Sequence, residues 1–334
     1  MIRSTAEAFA RSELLPKVRD HEAAQALPAH LSKKFDDTGL GLAGVPETAG
    51  GAGLGAFADT LVYYELSRAD AGAAFALGLS GLGLRIFGLN TGPVHLASDI
   101  DQRLEASGGF VSGKWPLSFG RETGRALVLL SGSDSAVFIE TGVSATPCRP
   151  AALDTAQGWT LSFDKAPVKK TVPAAAFQNH TRQLAATLLA GLSACALEYA
   201  RAYTMERKTF GRTLAHHQGV AFVLAEMAMR TEASRLAVWR SAWRMDSGKE
   251  ARFDTAAAFV EAAQNALFVC DQALQLLGGH GYMKDHFVEK YFREARVLSQ
   301  LWGGVDGALM TAGAFSTSLS TEIGFPELVE GRTP

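Results

Sequence analysis

From Ile2 to about Asn90 the apolar positions recur with a helical period. Phe9, Leu14 and Val18 form one stripe, Pro28 is placed to open a helix that ends before Gly39, and an apolar, glycine-dotted helix spans Ala73 to Phe87. Between them, Gly50-Gly51-Ala52-Gly53-Leu54-Gly55 is too rich in glycine for a helix interior and marks a loop, after which Leu61, Tyr64, Glu65 and Leu66 belong to a renewed helix. The period then changes. Between about Gly108 and Val172, the runs Phe110 to Leu117, Ala126 to Ser131, Ala136 to Thr141 and Trp159 to Phe163 read as short strands separated by Gly, Ser, Asp and Pro. From Thr181 onward long helical stripes return: Leu188, Leu192, Cys195 and Tyr199; Val220, Val223, Leu224 and Met227; Phe259, Ala263, Ala266, Cys270, Ala273 and Leu277. Short polar connectors such as Asp246-Ser247-Gly248 join them, so they predict an antiparallel bundle, of four with a helix beginning near Gly304. The Ser/Thr-rich tail after Ala314 reads as a loose terminus. The fold class is therefore mainly α with a small β domain: helices over 1–100, the β domain over 101–178 and a helical bundle over 179–334.

Composition narrows the class further. A chain of 334 residues with 47% apolar and 20% charged residues has room for two or more cores and is no disordered segment. With 32 basic and 34 acidic residues it presents no global field for nucleic acid or another long polyanion. Cys148, Cys195 and Cys270 are odd in number and widely spaced, and the last two fall on apolar helical faces, which suits free thiols in a reducing cytoplasm. No run of eighteen apolar residues occurs, and Met1 to Pro16 carries charges throughout, so neither a membrane span nor a secretory signal is expected. No metal site is expected either.

The chemistry-bearing signals concentrate between Gln275 and Gly307. Gly278-Gly279-His280-Gly281 follows an apolar helix, and taken alone it is as well explained by a helix-ending turn as by a ligand contact. Gly303-Gly304 follows Leu301-Trp302, which sets an aromatic ring beside bare backbone, as a flat cofactor or a thioester requires. The small residues Ala262, Ala263 and Ala266 permit close helix approach, within the chain or between chains.

Gln275 to Gly307, together with Glu206-Arg207-Lys208-Thr209-Phe210-Gly211, Gln218, the run Leu224 to Met229 and the loop Gly39 to Leu54, resembles the acyl-CoA dehydrogenase family. The resemblance implies a helical N-terminal domain, a central β domain shortened here, and a C-terminal four-helix bundle. It also implies FAD as cofactor, an acyl-CoA substrate, and an electron-transfer flavoprotein or similar acceptor. In that family a carboxylate takes the proton α to the thioester while the β hydrogen leaves as hydride. By the same likeness Arg207 reaches the pyrophosphate of a neighbouring subunit's FAD, and Thr209, Phe210, Gln218, Gln275, Gly278 and Gly279 approach its other parts. The family's TEPGAGSD segment is absent. Its later flavin-contacting segment has a counterpart in Trp115-Pro116-Leu117-Ser118, with Ser118 offering a hydroxyl and Trp115 a ring; a strand with a buried Trp explains the same residues equally well. Arg182, Trp302 and Gly304 fall at substrate-binding positions. The two positions where the family carries its base hold Gly303 and Thr181, neither of which takes a proton at neutral pH. Glu294, next to Arg293 and near Arg296, is expected to pair with them, which leaves Asp306 as a weak substitute. The resemblance thus points to a base-less subunit that completes the FAD site of a homologous, base-bearing partner in a tetramer, with bulky CoA esters such as steroid side chains as the analogous substrates. A homomeric dehydrogenase using Asp306, a flavin-dependent hydroxylase suggested by the SGKWPLSFG segment, and a scaffold without flavin are the alternatives.

Overall fold

The computed structural model describes residues 1–87, 94–99, 102–130 and 132–322, with the backbone alone at 99 and 315–322. Helix α1 (Ile2–Phe9) runs on through a π turn (Ala10–Leu14) and a 3-10 turn (Leu15–Lys17) into α2 (Val18–Ala24). Pro16 lacks a donor and ends the regular ladder there, and the irregular turns keep Phe9, Leu14 and Val18 on one buried side. Helix α3 (Ala29–Asp37) starts after Pro28 and stops before Gly39, whose φ of +71° reverses the chain. The glycine loop leads into α4 (Gly55–Ala69), and α5 (Ala71–Phe87) follows after Asp70, an extended residue whose Oδ1 accepts the Ala73 N–H at 3.3 Å.

The N-terminus of α4 is capped from far away in sequence. Asp246 accepts the Ala56 and Phe57 N–H groups at 2.6 and 2.9 Å, and a side chain at Gly55 would occupy the space of that carboxylate. Asp246→Ala is expected to cost about 1 kcal/mol, the usual worth of an N-cap, read as a lower urea midpoint at unchanged slope. An unmoved midpoint would show that water replaces the cap at no cost.

The β region holds β1 (His95–Asp99), β2 (Leu104–Ser107), β3 (Phe110–Phe119), β4 (Ala126–Leu130), β5 (Ser135–Ile139), β6 (Val143–Cys148) and β7 (Gly158–Pro173), in spatial order β1-β4-β5-β7-β3-β2 with β6 also on β7. All pairs are antiparallel except β1 with β4. Strand β7 is the spine: its first half pairs with β3 and β6, its second with β5. Val111, Val128, Ile139, Leu161 and Phe163 form its own core, while Leu96, Phe119, Leu127 and Phe138 pack towards the helices. Strands β1, β2 and β6 were not among the expected runs, and β7 continues to Pro173 instead of stopping near Phe163. Ser131, the expected end of one run, lies outside the described residues.

The C-terminal region comprises α6 (Ala174–Glu206), the small hairpin β8 (Lys208–Thr209) and β9 (Arg212–Thr213), α7 (Gln218–Asp246), α8 (Arg252–Leu277), α9 (Val288–Leu298) and α10 (Gly304–Glu322). Helices α6, α7, α8 and α10 make the expected bundle, with α8 packed on the other three. Two expectations are corrected here. Helix α6 begins directly after Pro173 rather than near Thr181. Helix α10 runs past Ala314 to Glu322, so the supposed loose tail is helical that far; residues 323–334 lie outside the described part. Ala262, Ala263 and Ala266 are fully buried within the chain, so their small size serves internal helix packing. Among the described residues α6 alone is long and apolar enough to cross a membrane, and it is mostly buried in the bundle. Cys195 and Cys270 are buried as well; burial pushes the Cys195 thiol up to about 12 and Cys270 upward too, so neither is a nucleophile at neutral pH.

Candidate active site

A cavity of about 580 Å³ opens where α5, β1, β3 and the turn before α10 converge. Helix α5 contributes Phe75 and Leu79, β1 contributes Leu96 and Ser98, and β3 contributes Trp115 to Phe119. The 3-10 turn Leu301–Gly303 closes one side. In that turn Trp302 has φ 51° and ψ 40°, followed by Gly303 at φ +101° and Gly304 at φ +60°. Three successive left-handed residues, one of them a tryptophan, make a strained corner of the kind that surroundings must enforce. The enforcing contacts are aromatic: Trp302 packs on Phe75 at 5.9 Å between ring centroids, and Phe75 on Phe119 at 5.4 Å.

The structure brings Trp115, Ser118, Trp302, Gly303 and Asp306 into this one cavity. The Trp115 ring is half-buried in the wall with its Nε1 donating to the Leu117 carbonyl at 2.7 Å, and the buried Ser118 hydroxyl donates to the Leu96 carbonyl at 3.3 Å. Gly304 is buried as a turn residue behind the wall. Thr181 is buried and donates back to the Phe177 carbonyl at 2.8 Å. Arg182 lies beside the cavity, its Nη2 donating to the Gly307 carbonyl at 3.1 Å and to the Thr311 hydroxyl at 2.9 Å, which ties α6 to the first turns of α10. Asp306 is the one carboxylate lining the cavity among the described residues, and it is exposed. Phe75, Leu79 and Ser98 were not foreseen at the site. The first two carry the ordinary signature of core, and Ser98 sits on the unforeseen strand β1.

The pairing expected for Glu294 is overturned. Its carboxylate bonds Lys290 at 2.5 Å, and Lys290 also bonds Asp70 at 2.9 Å, all three being buried. Arg293 points elsewhere, to Glu22, Glu289 and Asp154. His21 completes the cluster, its Nδ1 lying 3.8 Å from Asp70 Oδ2. Burial pushes Glu294 up to about 7, against the pull of Lys290 and with the push of Asp70; burial also opposes the charge on Asp70, but Lys290 and His21 outweigh it and hold Asp70 below its usual range.

A second group of sequence-selected residues gathers at the opposite end of the bundle. Arg207, Thr209 and Phe210 follow α6, Gln218 starts α7, and Gln275, Gly278 and Gly279 end α8. Hydrogen bonds of 2.8 Å between Tyr203 and His280 and between Tyr199 and His286 fasten these ends together. All but Thr209 are exposed. Phe210, at φ 50° and 97% exposed, touches only the His217 ring among the described aromatic neighbours. Arg182 and Arg207 are roughly 25 residues apart along α6, hence about 37 Å at the helical rise.

Residues 173–314 match the family model described as the C-terminal domain of acyl-CoA dehydrogenase, and residues 1–89 match that of its N-terminal domain. The chain belongs to the acyl-CoA dehydrogenase family. A probable acyl-CoA dehydrogenase of Mycobacterium leprae is 27% identical over 362 aligned positions covering 91% of each chain. That span exceeds the 334 residues present here, so the relative carries internal segments without a counterpart in this chain. Among solved structures, butyryl-CoA dehydrogenase from Megasphaera elsdenii shares the fold at a TM-score of 0.80 with 21% identity, over 95% of this chain and 97% of that one. A variant of the Tcur3481-Tcur3483 steroid ACAD does so at 0.79 with 22% identity, over 96% and 98%. The chain is therefore an oxidoreductase of a family of FAD-dependent flavoproteins.

Proposed function

We propose that the chain is one subunit of a FAD-dependent acyl-CoA dehydrogenase, lacking the proton-abstracting glutamate itself and completing the FAD site of a homologous, base-bearing partner. The separation along α6 carries this reading. Arg207 and its neighbours stand about 37 Å from the cavity beside Arg182, farther than one extended dinucleotide bridges, so they serve a site on another chain. Their exposure fits that role, because Arg207 offers a guanidinium to a pyrophosphate, and Phe210 holds its ring out at the tip of the two-residue β8–β9 turn, whose positive φ at Phe210 and Gly211 is that of a tight hairpin. FAD, when bound, supplies the hydride acceptor; Thr209, Gln218, Gln275, Gly278 and Gly279 border it.

The chain's own cavity argues the complementary half. Gly303 brings no side chain, the Thr181 hydroxyl is committed to Phe177, and Asp306 is exposed, so among the described residues no desolvated carboxylate stands ready to take a proton. Helix α7 also presents Phe222, Met229, Leu236 and Trp243 to solvent at seven-residue spacing, a stripe suited to another subunit's helix. The paired designation of the steroid ACAD among the solved structures is in keeping with a heteromer acting on a bulky acyl-CoA. An electron-transferring flavoprotein or similar acceptor, in a reducing cytoplasm, completes the reading.

The test is a FAD titration of the apo complex. A close charge-assisted contact to phosphate contributes roughly 1.5–3 kcal/mol, so Arg207→Ala is expected to weaken FAD binding about 10- to 150-fold while circular dichroism stays native. Arg207→Lys keeps the charge but not the planar fork and should restore part of the loss. Unchanged affinity in a folded Arg207→Ala complex would remove the trans-subunit argument.

A further inference from the structure

Behind Trp302 a smaller pocket of about 220 Å³ adjoins the large cavity, sharing Ser98, Trp302, Gly307 and Met310 with it. Arg182, 6% exposed, forms part of its wall. Both acceptors of its Nη2, the Gly307 carbonyl and the Thr311 hydroxyl, are neutral, and its Nη1 is buried with no hydrogen-bond partner. Among the described residues no carboxylate meets this guanidinium. Burial pushes it down to about 10, so it still carries its charge at neutral pH. Other buried cations of this protein are matched: Arg85 rests on Asp59, and Lys290 on Asp70 and Glu294. An unmatched buried charge costs several kcal/mol, and native interiors leave few donors unpaired. A counter-anion held in the pocket that Arg182 lines would match the charge.

We propose that this pocket is a carboxylate subsite, taking the carboxylate of a ligand whose apolar body lies in the larger cavity. The inference rests on the dehydrogenase reading proposed above and takes that cavity, closed by the Trp302 turn, as its acyl site. The surroundings select a single negative charge: one guanidinium stands alone, the flanking Ser98, Ser133 and Gln178 are neutral hydrogen-bonding groups, and Leu129 and Leu130 are apolar. A phosphate, with close to two charges, would keep one of them unmatched there. Two sources share the required chemistry, the CoA thioester of a dicarboxylic acid and a free hydrophobic acid.

Trp302 stands between the two spaces, so its fluorescence reports binding. The experiment titrates the protein, alone and in its complex, with CoA thioesters of the butanedioic to dodecanedioic acids, with the monocarboxylic thioesters of equal length, and with the corresponding free acids. At the matching length the dicarboxylic thioester or the free acid is expected to bind about 10- to 150-fold more tightly than the monocarboxylic thioester, as a charge-assisted contact gives. Arg182→Gln should abolish that preference. Gln178→Leu, which leaves the hold of Arg182 on Gly307 in place, should reduce it and guards against misfolding of the first variant. A preference confined to the thioesters assigns the ligand as a dicarboxylic acyl-CoA; one found with the free acids assigns the free acid. Equal affinity of mono- and dicarboxylic thioesters at every length, with no binding of free acids, overturns the carboxylate subsite and leaves the acyl site standing. Absence of thioester binding overturns the acyl site, and the free-acid titration then decides the subsite through its dependence on Arg182.

Discussion

Purified alone and supplied with FAD and acyl-CoA, this chain is expected to turn over on the order of 10²–10⁴-fold more slowly than its complex with a base-bearing partner, the usual penalty for losing a general base. Among its described residues the cavity offers no rescue: Thr181 is buried and bonded to the Phe177 carbonyl, and the exposed Asp306 is in no position to gain the basicity that desolvation gives a catalytic carboxylate. The backbone makes the deficiency deeper than one missing side chain. At φ +101°, between Trp302 at φ 51° and Gly304 at φ +60°, position 303 has a conformation that L side chains rarely take. An introduced glutamate pays roughly 1–3 kcal/mol in backbone strain or moves the turn that seats Trp302. At about 1.4 kcal/mol per tenfold that strain corresponds to a factor of roughly 5 to 150, so Gly303→Glu is expected to restore no more than about a fifth of the missing rate. Steady-state turnover of the homogeneous wild-type chain at a rate matching the complex would refute the base-less reading.

Much of the fold was legible because it is written in period. The stripes on α6 and α8 place Leu188, Leu192, Phe259 and Ala266 at helical spacing, and all four are buried where the stripes put them. Strands β2 and β6 escaped because they carry exposed or small residues: β6 reads Val-Ser-Ala-Thr-Pro-Cys, with only partial burial along its length. The proline suggests a break, yet position 147 is an edge position where no ladder donor is needed. After Ala314 the Ser/Thr composition reads as a loose tail, yet the backbone stays helical to Glu322.

The site was legible only in part, since its residues come from four separate stretches. Trp302 and Gly303 stand out locally; Phe75 and Leu79 look like any core pair until β3 and the Trp302 turn are folded against them. The error at Glu294 has a geometric cause. Neighbours one position apart on a helix point about 100° from each other, so Arg293 faces Glu22 and Asp154 while Glu294 turns inward. Lys290, one turn back, is its true partner, and Asp70, 220 residues from Lys290, left no local trace.

That buried cluster carries the largest expected stability effect. Lys290→Met keeps the volume of the side chain but strands two buried carboxylates, and removing one partner of a buried ion pair costs about 3–5 kcal/mol. The pH dependence follows from the two opposite shifts. Glu294 holds its proton in the folded protein up to about 7, well above the unfolded glutamate, so between those two values the folded state binds a proton that the unfolded state has released. Stability from this group is full below the unfolded value and is lost as pH rises through the folded one. Asp70, held below its usual range, acts in reverse: its contribution is present above the unfolded aspartate value and fails only in stronger acid. Urea denaturation is thus expected to show the wild type gaining stability from roughly pH 8 down to about pH 5, with Glu294→Gln flattening that slope. Lys290→Met should recover part of its deficit over the same range, as the stranded Glu294 takes up a proton. A slope unchanged in Glu294→Gln, or a deficit in Lys290→Met that is small and independent of pH, would mean that water reaches the cluster and screens it, and that Lys290 fills space without matching charge.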